Sequence, residues 1–284
     1  MQAARELWRH ILQALPFDSP HRQGVEREIA KLDSRLAPKP KTDWRKRLGP
    51  FGVLIAALAK FKTTLLILLT KGKFLFSMLA FLSVYWYLFG WWFAVGLCGS
   101  VLLHEMGHYV VVRMHGLKAE LPMFLPFFGA YVRWQGGAQV DTGVRAQIAL
   151  AGPLFGFLSG LLAYGIFLST HAGVWLAVAQ VAGWLNLLNL IPVSIFDGGR
   201  AMDALGKQQR LAIVILSLLL AVVLHEFVFA GLAIGAGYRL WKRDFPAASY
   251  DGIGYYFIVL AVANGLLSWF CLNQAQMTMH RPAF

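Results

Sequence analysis

The chain has 284 residues, 58% of them hydrophobic and only 14% charged. An ordinary soluble domain carries roughly a quarter charged residues, so this composition excludes a disordered chain, a disulfide-stapled mini-protein and most soluble enzymes, and it points to a membrane protein. Lys and Arg number 26 against 14 Asp and Glu; that excess suits either nucleic-acid phosphate or membrane loops, and position decides between them.

Residues 1–50 hold eleven basic and six acidic residues. Two amphipathic helices are predicted there. Leu7, Trp8, Ile11, Leu12 and Leu15 share one face of the first; Val25, Ile29, Leu32 and Leu36 share one face of the second. Pro16 and Pro20 separate them, and Pro38 and Pro40 end the second. Such a tail suits a membrane-surface anchor, a partner-docking arm, or a small hairpin packed on itself. No signal peptide is visible. Residues 51–70 are apolar but carry Lys60 and Lys62 centrally. A lysine at a helix centre costs about 3 kcal/mol on insertion scales, so an interfacial or re-entrant helix is expected over 51–73; a strained span with snorkelling lysines is the alternative.

Beyond the tail, residues 74–104, 146–196, 211–225, 227–238 and 252–280 contain no Asp, Glu, Lys or Arg. A span needs about 20 apolar residues, so the longer stretches are split at turn-like residues. Helices are predicted at 74–89, 93–115, 146–168, 174–190, 209–224, 227–240 and 252–272. Cys98 and Cys271 sit within apolar helices and predict neither a disulfide nor a metal role. The fold class expected is an all-α polytopic membrane protein of six to seven transmembrane helices with a short re-entrant β-hairpin. Its core runs over 74–205, and C-terminal membrane helices follow over 206–284. Lys71, Lys73, Arg113, Lys118, Arg145, Arg200, Lys207, Arg210, Arg239, Lys242 and Arg243 all fall at one set of helix ends; the opposite loops near Gly90, His171 and His225 have no Lys or Arg. This positive-inside pattern predicts a cytoplasmic tail. It also removes nucleic acid as a partner, because the charge is spread over several loops. The lipid bilayer takes its place.

The second apolar helix contains Leu103-His104-Glu105-Met106-Gly107-His108. Two histidines four apart project from one helical face about 6 Å apart along the axis, a spacing that suits one zinc ion. Zinc brings the pKa of water to roughly 7, and Glu105 is placed as the general base for it. Ionisable groups inside an apolar helix are costly and functional by default. A catalytic zinc takes three protein ligands. The candidate third is Asp197, in the run Asn189-Leu190-Ile191-Pro192-Val193-Ser194-Ile195-Phe196-Asp197-Gly198-Gly199-Arg200. Pro192 ends the regular helix, and Gly198 and Gly199 are expected to turn the chain and aim the carboxylate back. A cap on the following helical segment is the alternative role for Asp197. Asn189 offers an amide to a peptide or an oxyanion. His225-Glu226 lacks a second histidine, because Phe229 stands there, and reads as a hairpin turn.

With these motifs the chain resembles the site-2 protease family of intramembrane zinc metalloproteases. That family joins His-Glu-x-x-His in one membrane helix to Asn-x-x-Pro-x-x-x-x-Asp-Gly in a later one; here they stand as His104, Glu105 and His108, then Asn189, Pro192, Asp197 and Gly198. The resemblance covers about 74–205. It implies that His104, His108 and Asp197 bind one zinc ion, that Glu105 is the catalytic base and that Asn189 helps hold substrate or the oxyanion. It further implies a membrane-protein substrate helix already shortened by an upstream protease, and a bacterial inner membrane suits the compact layout without PDZ or CBS domains. Residues 121–134, with aromatic and β-branched side chains around Gly129, suggest short strands. In the family the corresponding hairpin pairs with the substrate; a covering loop is the alternative. Many relatives have Gly-Pro-x-x-Asn where this chain has Gly152, Pro153 and Gly156. Gly152, Gly156 and Gly160 at four-residue spacing predict close helix packing instead. Two other functions compete: a catalytically inactive zinc-containing protein that binds membrane clients, which the intact Glu105 argues against, and a transporter, which has no use for a four-residue histidine pair with a third ligand.

Overall fold

The computed structural model describes residues 2–36 and 71–279. The expectation for 51–70 lies outside the described residues. Contacts divide the chain into two units, Met1–Leu65 and Leu66–Phe284.

In the first unit, α1 (Gln2–Ala14) and α2 (Arg22–Leu36) lie against each other. Arg5 pairs with Asp33, and the Arg22 guanidinium sits 4.4 Å from the centre of the Phe17 ring. The hairpin is therefore packed on itself, yet α1 buries no residue fully and leaves Leu7 and Ile11 exposed.

The second unit is a helical bundle. Its elements are α3 (Lys71–Phe89), α4 (Trp91–Met114), β1 (Met123–Leu125), β2 (Gly129–Tyr131), α5 (Thr142–Thr170), α6 (Gly173–Asn189), α7 (Asp197–Met202), α8 (Lys207–Leu224), α9 (Phe227–Lys242) and α10 (Asp251–Met279). Five of these, α3, α4, α5, α8 and α10, are long and apolar enough to cross a membrane. α6 and α9 are equally apolar but have only 17 and 16 residues. The breaks have local causes. Gly90 at φ 86° separates α3 from α4, and His171 at φ 54° and His225 at φ 55° end α5 and α8 in the left-handed region. The predicted turn over 169–173 thus shrinks to His171 and Ala172, and His225-Glu226 is the hairpin corner expected. At the start of α5 the Asp141 carboxylate accepts from the Gly143 and Val144 amides at 2.9 and 3.3 Å, as an N-cap should.

α4, α5, α6 and α10 pack together, and the α8–α9 hairpin joins them through Leu187, Leu190, Met202, Phe229 and Phe257. The three-glycine stripe of α5 works as predicted, but each position admits a different neighbour. A Cβ at Gly160 would come within 2.6 Å of Leu267, one at Gly156 within 2.0 Å of Asn186, and one at Gly152 within 2.3 Å of His108. The strands pair antiparallel, with Phe124 opposite Ala130. Phe124 anchors the hairpin: its ring meets Phe81 of α3 edge-on at 5.5 Å, and its amide donates to Ser77 Oγ at 3.2 Å. Aromatic packing on a peripheral helix thus holds the hairpin beside α4.

Candidate metal and catalytic site

The α4 histidines meet as their spacing requires. Their Nε2 atoms are 3.2 Å apart, and Asp197 Oδ2 lies 3.2 Å from one and 3.3 Å from the other. All three residues are buried. Phe196, not Asp197, occupies the N-cap position of α7, so the carboxylate is free of a capping role and faces the imidazoles.

Hydrogen bonding settles which ring nitrogens are open. His104 Nδ1 donates to Asn186 Oδ1 at 2.6 Å, and His108 Nδ1 donates to the Ile148 carbonyl at 2.7 Å. The Asn186 amide is oriented by its own bond from Nδ2 to the Ala182 carbonyl, 2.7 Å. With protons on Nδ1, both Nε2 atoms carry lone pairs. Two such lone pairs and a carboxylate oxygen within 3.3 Å repel one another unless a cation sits among them. The spacing fits zinc: bonds of about 2.0–2.1 Å at tetrahedral angles put ligand atoms about 3.3–3.4 Å apart.

The backbone around Asp197 corrects one expectation. Gly198 and Gly199 do not turn the chain, since neither has positive φ and both belong to α7. They matter because the preceding loop passes directly over them. A Cβ at Gly198 would lie 1.9 Å from the Leu190 carbonyl oxygen, and one at Gly199 2.2 Å from that of Val193. The helix is also tied from behind. Arg239 donates to the Gly199 carbonyl at 3.2 Å and to Asp203 at 2.6 Å; Arg210 donates to the Met202 and Leu205 carbonyls at 3.1 and 2.9 Å.

Sequence reasoning missed Asn186. Its signal was an amide in an apolar helix one turn before Asn189, on the face turned toward α4. The structure also accounts for the departure at Gly156: the Asn186 side chain fills the space above that glycine, so an asparagine on α6 occupies the room a side chain on α5 would need. Outer hydrogen bonds to ligating histidines fix the tautomer and typically affect metal affinity 10–100-fold. Asn186→Leu should therefore weaken zinc binding by roughly that factor, measured by competition with a chromophoric chelator. Unchanged affinity would show that His104 needs no partner.

Two cavities meet at the site. One of about 490 Å³ is lined by His104, Glu105, His108, Asp197, Asn189 and the run Ala130–Trp134, among others. The other, about 330 Å³, is mainly apolar and reaches Phe81, Leu97, Val101, Phe127 and Leu185. They share His104, Glu105, Ala130, Asn189 and Ile195. Glu105 and Asn189, predicted as base and amide, thus stand where the two join.

Residues 92–172 match Peptidase family M50. Rip3 of Mycobacterium tuberculosis is 35% identical over 173 residues, 54% of this chain and 43% of that protein. EGY1 of Arabidopsis thaliana is 28% identical over 192 residues, 51% of this chain and 33% of that one. MJ0392 of Methanocaldococcus jannaschii is 32% identical over 112 residues, 37% of this chain and 32% of that protein. All three carry the words zinc metalloprotease in their names. The chain spans less than half the length of these relatives. No solved structure matches it significantly. The apolar helices together with the M50 match make it an integral membrane protein. Over residues 92–172 it is similar to peptidase family M50, and the relatives it matches are named zinc metalloproteases.

Proposed function

We propose that the chain is an intramembrane zinc metalloprotease that hydrolyses peptide bonds in or near transmembrane helices of membrane proteins, with His104, His108 and Asp197 holding one zinc ion. The observation that carries this reading is the convergence of three open lone pairs beside Glu105 where two cavities join. A zinc ion held there supplies a Lewis acid that polarises a carbonyl and acidifies water. Glu105, buried in the wall of both cavities, takes a proton from the attacking water and returns it to the departing amine. Asn189 lines the same junction and donates its amide to the scissile carbonyl oxygen.

A helix must surrender internal hydrogen bonds before a peptide bond is exposed, and an added strand replaces them. β1 and β2 form a two-stranded sheet, so among the described residues β2 keeps one edge unpaired, and Ala130 and Tyr131 of β2 line the metal cavity. A substrate strand laid along this edge runs past the metal. Regulated intramembrane proteolysis, a client first trimmed by another protease, a bacterial inner membrane and a cytoplasmic N-terminus complete the proposal; the one-sided distribution of Lys and Arg supports the last.

The test is zinc stoichiometry together with cleavage of a transmembrane-helix substrate, beside Glu105→Gln. The variant should retain zinc and lose cleavage by about 10²–10⁴-fold, the usual weight of a general base. Full cleavage by Glu105→Gln would sink the proposal. A client-binding protein without activity would bind zinc and cleave nothing in either form.

A further inference from the structure

We propose that the chamber beyond the metal site binds carboxylates: it selects substrates whose flank on this side of the membrane carries Asp or Glu. This rests on the protease reading and specifies its substrate class. Arg133 and Arg200 line the metal cavity. Arg145 and Arg200 line an adjoining cavity of about 310 Å³, with Trp134, Gly137 and Asp203. The two cavities share Trp134 and Arg200, so a peptide leaving the metal along Ala130–Trp134 meets three guanidinium groups in succession.

Among the described residues these arginines are held in no ion pair. Two acids nearby are already engaged, while Glu105 and Asp197 share the metal cavity with Arg200. Asp203 accepts from Arg239 at 2.6 Å, and Asp141 accepts from the Gly143 and Val144 amides and from the Tyr250 hydroxyl at 2.7 Å. Glu120 lies across the backbone ladder from Arg133, its amide donating to the Arg133 carbonyl at 2.8 Å, without an ion pair. Arg145 adds the sharpest sign. Its Nη2 donates to Thr142 Oγ1 at 3.1 Å, while its Nε is buried with no partner. A buried donor without an acceptor is costly, and a carboxylate is the acceptor whose two oxygens match a guanidinium fork. The chamber also excludes by charge. Most membrane helices are flanked on the positive-inside face by Lys and Arg, and three arginines at the site repel such flanks. Attraction of one class and repulsion of the other together make specificity.

The experiment uses the full chain in detergent micelles, with Glu105→Gln to prevent turnover. Three fluorescent transmembrane peptides differ only in four flanking residues: all acidic, all Gln or all Lys. The acidic flank should bind about tenfold or more tightly than the Lys flank, the margin should narrow as salt rises, and it should fall within about twofold in Arg133→Gln/Arg145→Gln. Equal or tighter binding of the Lys flank overturns the proposal, as does an acid preference that survives in the double variant. If the double variant fails to fold, the exposed Arg133→Gln alone should at least halve the margin, and an unchanged margin counts against the proposal. A fourth peptide, Gln-flanked and truncated to a free C-terminus, is compared with its amide. A gain confined to the free terminus would assign the chamber to the cleaved product and overturn selection by side chains. The protease reading is read separately, from cleavage of the Gln-flank peptide by the unmodified chain. Cleavage without flank preference defeats the chamber alone, and flank preference without any cleavage defeats the protease reading alone.

Discussion

Asp197→Ala is expected to strip the chain of zinc while leaving its helices in place. The carboxylate faces only the two imidazoles and caps nothing, so its loss removes one of three protein donors and little else. Four-ligand structural zinc sites bind with about 10–16 kcal/mol. One donor therefore accounts for about 2.5–4 kcal/mol, on the order of a hundred- to a thousandfold in affinity. Zinc content after dialysis, beside helicity by circular dichroism, checks both halves. Zinc unchanged from the parent chain would remove Asp197 from the ligand set.

Arg210→Met is expected to destabilise the second unit by about 3 kcal/mol or more. Arg210 is fully buried, yet its guanidinium spends every nitrogen. It donates to the carbonyls of Leu205, Met202, Arg239 and Asp244 and to the Asp244 carboxylate, and it lies 4.9 Å from the Phe245 ring. Methionine fills the space but leaves these acceptors without donors, and breaking a buried pair from one side is costlier than never having it. Unfolding in mild detergent gives the loss. Because the Met202 carbonyl ends α7, zinc should also leave the variant faster. A midpoint unchanged from the parent would mean that water replaces the guanidinium.

The same clasp sets a pH dependence. Partial burial would raise the Asp244 carboxyl, but the hydrogen bonds and charges of Arg210 and Arg239 outweigh it and hold the group below the usual range. A folded value depressed in this way contributes stability above the ordinary Asp value of about 3.9. That contribution fades as pH falls through the lowered value. Acid titration of the parent should therefore show a loss in this window that is smaller in Arg210→Met, where Arg239 still pairs with Asp244.

Much of the site was legible because its rules are local. A four-residue spacing puts His104 and His108 on one face whatever surrounds them, and a run without charge predicts a membrane helix from composition alone. Most helix boundaries came within a few residues for the same reason: Gly90, His171 and His225 break helices through their own backbone or their place at a membrane surface; the exception is α10, which runs on to Met279, past the expected 272. The first hidden feature was the glycine pair after Asp197. Sequence suggests a turn at Gly-Gly, but here the pair gives way to backbone packed from a separate loop, and such crowding has no sequence period. Asn186 was hidden similarly. An amide in an apolar helix has no partner until the helices pack, and its role depends on the room left by Gly156, 30 positions earlier in the chain.

The charge excess divides along the same line. Sequence alone determined that this is a polytopic membrane protein, that its basic residues gather at one set of helix ends, and that two histidines and a glutamate lie inside an apolar helix, because hydropathy and helical periodicity act over neighbouring residues. Only the tertiary structure decided which basic residues are spent and which remain open. Arg210 and Arg239 are consumed in holding the Asp197 helix, while Arg133, Arg145 and Arg200 line the cavities beyond the metal site. The physical reason is that a guanidinium is defined by the acceptors brought to it, and those acceptors come from segments up to 40 residues away.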